Sequence, residues 1–340
     1  MAPCGAAVPL RMKIDGGIVQ RLHARVAPER DRLCVSHKIQ GGAGIFSRQL
    51  RAQKGLDSPK NDPVYGEDED YMDSNEKLRI SSEILRKAKE FDATLVGIAS
   101  VEELKRAPSF TVAPKMPEYS GVGADKEKIP GLGSGEVAWP EGARSVIVIA
   151  FAHPENQPEL DYWYGSISPI GNRRLMATIN KLVKWLNETY DVRPCHLPYH
   201  VERGGIFLKD AAVLGGLGCI GKNNMLVTPE YGPRVRLRAM TVNIDLPSTG
   251  PLNFDPCAGC DESCTKACPE EAFSKQLYKA KEYGREELPG RRGNYDRLAC
   301  NIQMKLDENI AEIQEAEDCD QPLRVVKYCR KCEFACWVGK

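Results

Sequence analysis

Nine of the 13 cysteines fall between Cys257 and Cys336, and seven of those form two short runs. No ordinary hydrophobic core wants thiols at that density, so this stretch must fold around something the sulfurs bind. A disulfide scaffold would be a short exported chain. Here no continuous apolar stretch of the kind export requires opens the sequence. Thiolate ligands in a reducing, cytoplasmic setting are therefore expected. Outside the two runs, Cys4, Cys34, Cys195, Cys219, Cys300 and Cys319 are isolated.

The first run, Cys257-Ala-Gly-Cys260-Asp-Glu-Ser-Cys264-Thr-Lys-Ala-Cys268-Pro269, is one residue longer than the C-x2-C-x2-C-x3-C-P run that holds cubane clusters in bacterial ferredoxins. Three closely spaced thiolates on a tight loop reach three corners of one iron–sulfur cube. The next, turned away by the following proline, serves another. The tail repeats the arrangement in Cys329-Arg-Lys-Cys332-Glu-Phe-Ala-Cys336. Two 4Fe–4S clusters need eight ligands and the runs supply seven, so Cys300 or Cys319 must be the eighth. Cys300 is preferred, because Cys319 sits among Glu315, Glu317, Asp318 and Asp320, whose charge opposes a thiolate. The alternative is a pair of structural zinc sites, which usually present C-x2-C pairs across longer spacers.

The chain of 340 residues is long enough for two domains. Apolar residues at 42% and charged residues at 28% exclude wholesale disorder, and 47 basic against 47 acidic residues leave no global field for nucleic acid or membrane. The longest apolar run, Val146 to Ala152, is far short of the ~20 residues that cross a bilayer, so no membrane association is expected. Residues 1–75 read as a basic, disordered leader without assigned function. An apolar period at Leu78, Ile80, Ile84, Leu85 and Ala88 predicts a helix over 76–91. Strands are expected at Thr94 to Ala99, at Ser145 to Phe151 (apolar enough to be covered on both faces) and from Arg236 to Leu246. Helices are expected over 172–189 and from Phe207 to Leu214, with a long Pro- and Gly-rich loop over 107–143. Residues 76–250 thus read as an α/β cofactor and substrate domain, and 251–340 as a ferredoxin-like double-cluster domain.

A cluster pair only moves electrons and needs an acceptor. The densest glycine segment ahead of it includes Gly215, Gly216, Gly218, Cys219, Ile220, Gly221, Lys222 and Asn223. Glycines let backbone approach a large ligand closely and Lys222 adds positive charge for a phosphate or amide; tight helix-on-sheet packing is the plainer explanation. The formal G-x-G-x-x-G match at Gly216 to Gly221 follows a helical pattern instead of a strand, which argues against NAD. In Asp161-Tyr162-Trp163-Tyr164, a tyrosine near Arg173 is a candidate proton donor, as is Asp161; aromatic packing at a domain edge is the alternative.

These residues resemble the epoxyqueuosine reductase family and, more distantly, the corrinoid reductive dehalogenases. The resemblance spans about 78–336 and is carried by Gly216-Leu-Gly218-Cys219-Ile-Gly221-Lys222-Asn223, similar to G-L-G-W-I-G-K-N, and by the paired cysteine runs with one isolated cysteine between them. It implies nitroreductase-like α+β layers holding a base-off cobalamin through the 218–223 segment, beside a two-cluster domain. It also apportions the ligands: Cys257, Cys260, Cys264 and Cys336 on one cluster; Cys268, Cys300, Cys329 and Cys332 on the other. The family's proton-donating D-Y-H has no counterpart, since no carboxylate occurs between Asp161 and Glu188. The C-terminal region that the family uses for transfer RNA is likewise not matched.

The reading expected from these features is a reductase fed by an external carrier of ferredoxin or flavodoxin type. It passes electrons through two clusters to a corrinoid and on to a small organic or nucleoside substrate, tRNA included. The alternative is an electron-transfer or corrinoid-activating protein that catalyses nothing itself.

Overall fold

A computed structural model describes residues 72–314 and 322–340. Nearly all of the basic leader, and Cys319, lie outside the described residues.

Helix α1 (Ser74–Glu90) begins where the Asp73 carboxylate accepts the Glu76 N–H at 2.7 Å, satisfying one of the donors a helix start leaves open. It buries Ile80, Ile84 and Ala88, while Leu78 lies off that stripe and is exposed. Strand β1 (Leu95–Ser100) leads to α2 (Val101–Lys105) and α3 (Pro108–Val112), the latter inside the stretch expected to be all loop. Then come β2 (Ser145–Ala152), β3 (Trp163–Tyr164), α4 (Ile170–Thr189), β4 (Cys195–His196) and α5 (Leu208–Leu214). A two-residue hairpin pair, β5 (Cys219–Ile220) and β6 (Leu226–Val227), precedes β7 (Val235–Val242). The expected strand to Leu246 stops short because the chain leaves the sheet, and the Leu246 N–H turns to Ser145 Oγ at 2.9 Å.

The main sheet has the order β1-β2-β7-β4, with every neighbour antiparallel. Alternation along β2 decides its layers. Ile147, Ile149 and Phe151 enter one core with Ile80 and Ile84 of α1 and Ile179 and Leu182 of α4. Val146, Val148 and Ala150 enter a second core with Leu104 of α2 and Ala211 and Ala212 of α5. The double covering read from the apolar run is therefore present, in a sheet with no parallel pair.

The cysteine-rich part adds α6 (Ser263–Lys266), α7 (Ala280–Tyr283), α8 (Arg297–Asn309), β8 (Glu312–Gln314), β9 (Leu323–Val326) and α9 (Lys331–Phe334). Its small sheet has the order β3-β9-β8, so Trp163 and Tyr164 pair with Val326 and Val325. The aromatic run is thus a strand shared with the C-terminal part. Arg234, 5% exposed and just ahead of β7, binds the same part. Its guanidinium donates to the carbonyls of Glu333 (3.2 Å), Cys336 (3.3 Å) and Val338. Among the described residues, no helix is long and apolar enough to cross a membrane.

Candidate metal centre

Two short helices bracket the thiols: α6 carries Cys264 and α9 carries Cys332. Cys257, Cys260, Cys264 and Cys336 line one cavity, with Pro256 and Trp337 also in its wall. Burial, and then the neighbouring Cys336, Cys257 and Cys260 sulfurs, push the Cys264 thiol up to about 11. Burial also pushes Cys257 up, against the Lys222 backbone N–H that favours its thiolate. The second group meets around α9. Cys332 is pushed well above the ordinary thiol range by burial, then by Glu333 and by Cys329, Cys300 and Cys268. Cys329 is raised by burial first, with Asp307 and Cys300 adding to it.

Cys257, Cys260, Cys264 and Cys336 thus share one cavity wall, and Cys268, Cys300 and Cys329 lie near enough to Cys332 to act on its thiol. Each group joins loops far apart in sequence. Among the described residues, no three His, Cys, Asp or Glu side chains converge on one point as a single metal ion requires. The first quartet of sulfurs instead stands around a space, and Val227, Val338 and Phe254 close its apolar side. That arrangement fits a multi-iron cluster, whose terminal ligands sit at separate corners and whose potential depends on a dry surround.

The glycine segment packs on this centre. A Cβ on Gly218 would lie 2.0 Å from Val227 O, and one on Gly221 would lie 3.6 Å from Cys257 Sγ. Lys222 Nζ is 2.8 Å from Glu262 Oε1, so its charge is already met and is not the free phosphate contact suggested by sequence. Asn223 is buried and its Nδ2 donates to Cys332 O at 3.4 Å. The Cys219 thiol, pushed up to about 11 by burial, lies 3.8 Å from an Arg291 guanidinium nitrogen. Ile220 O accepts from the Nε of the same arginine at 2.7 Å. These six residues thus form a seam between the sheet domain and both cysteine loops.

Of the three candidate acids, Asp161 is placed as an ion. Arg236 Nε lies 3.0 Å from its Oδ1 and Arg330 Nη1 lies 2.7 Å from its Oδ2, while His153 Nδ1 stands 2.8 Å away. Burial alone would raise its pKa, but His153 and the two guanidiniums outweigh that and hold it below the carboxylate range. Held between His153 and two guanidiniums, this carboxylate is placed as a structural anion, which weighs against the donor role suggested for Asp161. Tyr164 keeps its proton: burial raises its phenol above the usual value, against the pull of Lys327 and Arg173. Tyr162 lies under the Lys327 ammonium, 5.0 Å from its ring centroid.

Glu333 completes the group, with Arg236 Nη2 at 3.0 Å and Arg330 Nε at 2.8 Å. Two carboxylates and two guanidiniums alternate, so the buried charges cancel. His153 is fully buried, and neither ring nitrogen has a hydrogen-bond partner of good geometry among the described residues, although Nδ1 lies 2.8 Å from Asp161 Oδ1. Sequence reasoning passed over all of these except Asp161. The available signals were Arg234-x-Arg236 at the entry to an apolar strand, where buried arginines demand partners, and Arg330 and Glu333 spaced three apart between cysteines.

Burial holds the His153 imidazole below its ordinary value despite Asp161. As pH falls below about 6.5 the unfolded chain takes up that proton first, so stability is complete above this value and drains away toward the lower folded pKa. His153→Gln is expected to flatten this limb of a pH series of denaturation midpoints. An unchanged slope between the parent and the variant would contradict the assignment.

No family model matches the chain. An epoxyqueuosine reductase of Bacillus cereus is 24% identical over 213 residues, 57% of this chain and 52% of that protein. One from Gloeobacter violaceus is 33% identical over 137 residues, 39% of this chain and 42% of that protein. The chain thus spans about half the length of the curated relatives it matches. The crystal structure of an epoxyqueuosine reductase with an epoxyqueuosine-modified tRNA stem loop superposes with a TM-score of 0.50 at 18% identity, over 77% of this chain and 66% of that one. A catabolic reductive dehalogenase in complex with 3-bromo-4-hydroxybenzoic acid gives 0.50 at 16% identity, over 79% and 33%. In sequence, then, the chain is similar to the epoxyqueuosine reductases, and in fold it is similar both to them and to the reductive dehalogenases.

Proposed function

We propose that the chain is a cytoplasmic iron–sulfur reductase of epoxyqueuosine reductase type, acting on a nucleoside or small organic substrate. The observation that supports this is that Cys257, Cys260, Cys264 and Cys336, from opposite ends of the cysteine-rich part, line one cavity, with further thiols beside Cys332 close by. Cys257, Cys260, Cys264 and Cys336 would hold one 4Fe–4S cluster; Cys268, Cys300, Cys329 and Cys332 would hold the other. Together with a corrinoid, these groups supply low-potential electrons for cleaving a carbon–oxygen or carbon–halogen bond.

The chain's own residues position and protect that chemistry. Arg234 pins the Cys336 loop through its carbonyls. The ion quartet locks α9, and with it Cys332, to β7 without net charge. Tyr164 retains a neutral phenol able to give a proton. The similarity to a reductase solved with a modified tRNA stem loop makes epoxyqueuosine in tRNA the first substrate to test.

Reconstitution with iron and sulfide under anaerobic conditions is expected to yield a brown protein with roughly eight iron atoms per chain that takes up cobalamin. A colourless, zinc-loaded protein would end this reading. A second reading, a carrier that only reduces a partner's corrinoid, is favoured by the locked, ionised state of Asp161. Clusters with no single-turnover reduction of an epoxide-bearing nucleoside would select it.

A further inference from the structure

Helix α8 is amphipathic the wrong way round. Its inner face is held by polar groups: Asn301 Oδ1 accepts from Tyr119 O–H (2.8 Å) and Val122 N–H (2.7 Å). The Asp307 carboxylate accepts from Cys329 N–H (2.7 Å). Its outer face is aliphatic. Leu298 (66% exposed), Ile302 (52%), Leu306 (46%) and the capping Ile310 (77%) recur every fourth residue, and Ile313 (67%) of the edge strand β8 extends the line. An apolar stripe of this kind marks an interaction site when it is contiguous. We infer that this stripe is where a small, acidic one-electron carrier protein docks to deliver electrons.

Two features choose that occupant, and the inference rests on the cluster reading above. Cys300 lies on α8 itself, two residues from Leu298 and so turned about 200° from it. A carrier seated on the stripe would therefore stand roughly one helix diameter, about 10–12 Å, from a proposed cluster ligand. Lys305 is exposed between Ile302 and Leu306 and makes no ion pair among the described residues, so a carboxylate on the incoming protein would complement it.

The test uses the full chain, reconstituted anaerobically and mixed with flavodoxin hydroquinone, with bleaching of its visible absorption followed by stopped flow. Ile302→Asp and Leu306→Asp, at positions already exposed, are expected to keep their iron and to bleach fully with dithionite. Bleaching by flavodoxin should slow at least about tenfold, as for loss of an interface anchor. Lys305→Glu should slow it several-fold, and more at low than at high ionic strength. The inference is overturned if loaded variants bleach with flavodoxin as fast as the parent, or if flavodoxin does not bleach a parent that dithionite does. It is also overturned if the parent runs as a dimer that Leu306→Asp splits. A chain that takes up no iron overturns the underlying cluster reading instead.

Discussion

Replacing Cys336 with alanine is expected to lower the reconstituted iron from roughly eight to roughly four atoms per chain, leaving one cluster intact. The three remaining thiols of its set, Cys257, Cys260 and Cys264, come from the other end of the cysteine-rich part, so no local neighbour replaces it. Cys300→Ala should halve the iron by removing the other cluster. Cys319→Ala should leave it unchanged, which tests the choice of eighth ligand. The two halved variants are expected to differ in their electron paramagnetic spectra, because each retains a different cluster. If Cys336→Ala and Cys300→Ala lose the same signal, the division into two sets is wrong.

The second large effect is expected at Asp161. Asn is nearly isosteric but leaves Arg236 and Arg330 facing each other with only Glu333 to balance them, and breaking a buried ion group from one side costs about 3–5 kcal/mol. The side chain is 17% exposed, so solvent relieves little of this. Its folded pKa is depressed, so its stabilisation is complete above the unfolded value near 3.9 and is lost only as pH falls through the lower folded one. At neutral pH the whole effect should therefore appear as a lower urea midpoint of Asp161→Asn. A catalytic acid would show the reverse pattern: lost turnover with an unchanged midpoint. Tyr164→Phe is the matching control, since its phenol has no ion pair to lose.

Several elements could be read directly from local pattern. The period of three and four in α1 and α4, and the apolar run of β2, report burial on one or two faces, which is a local property of the chain. Cysteine spacing likewise reports how many thiols a tight loop can aim together. The pairing of Trp163 and Tyr164 with β9 was not legible, because a two-residue strand has no period and its partner lies far along the chain. Nor was the outward turn of α8's aliphatic face. A hydrophobic stripe in sequence says that a face exists; whether the core or solvent receives it depends on the polar anchors Asn301 and Asp307, whose partners Val122 and Cys329 are distant.

The chain's own sequence therefore settles how many thiols are offered, in which loops, and which helices and strands stand ahead of them, since spacing and periodicity are short-range facts. Which thiols share a cavity, that Asp161 is an anchored anion, and that Lys222 faces Glu262 are decided only when distant segments meet. Burial and opposite charge act through space, and no run of neighbouring residues encodes who the partner will be.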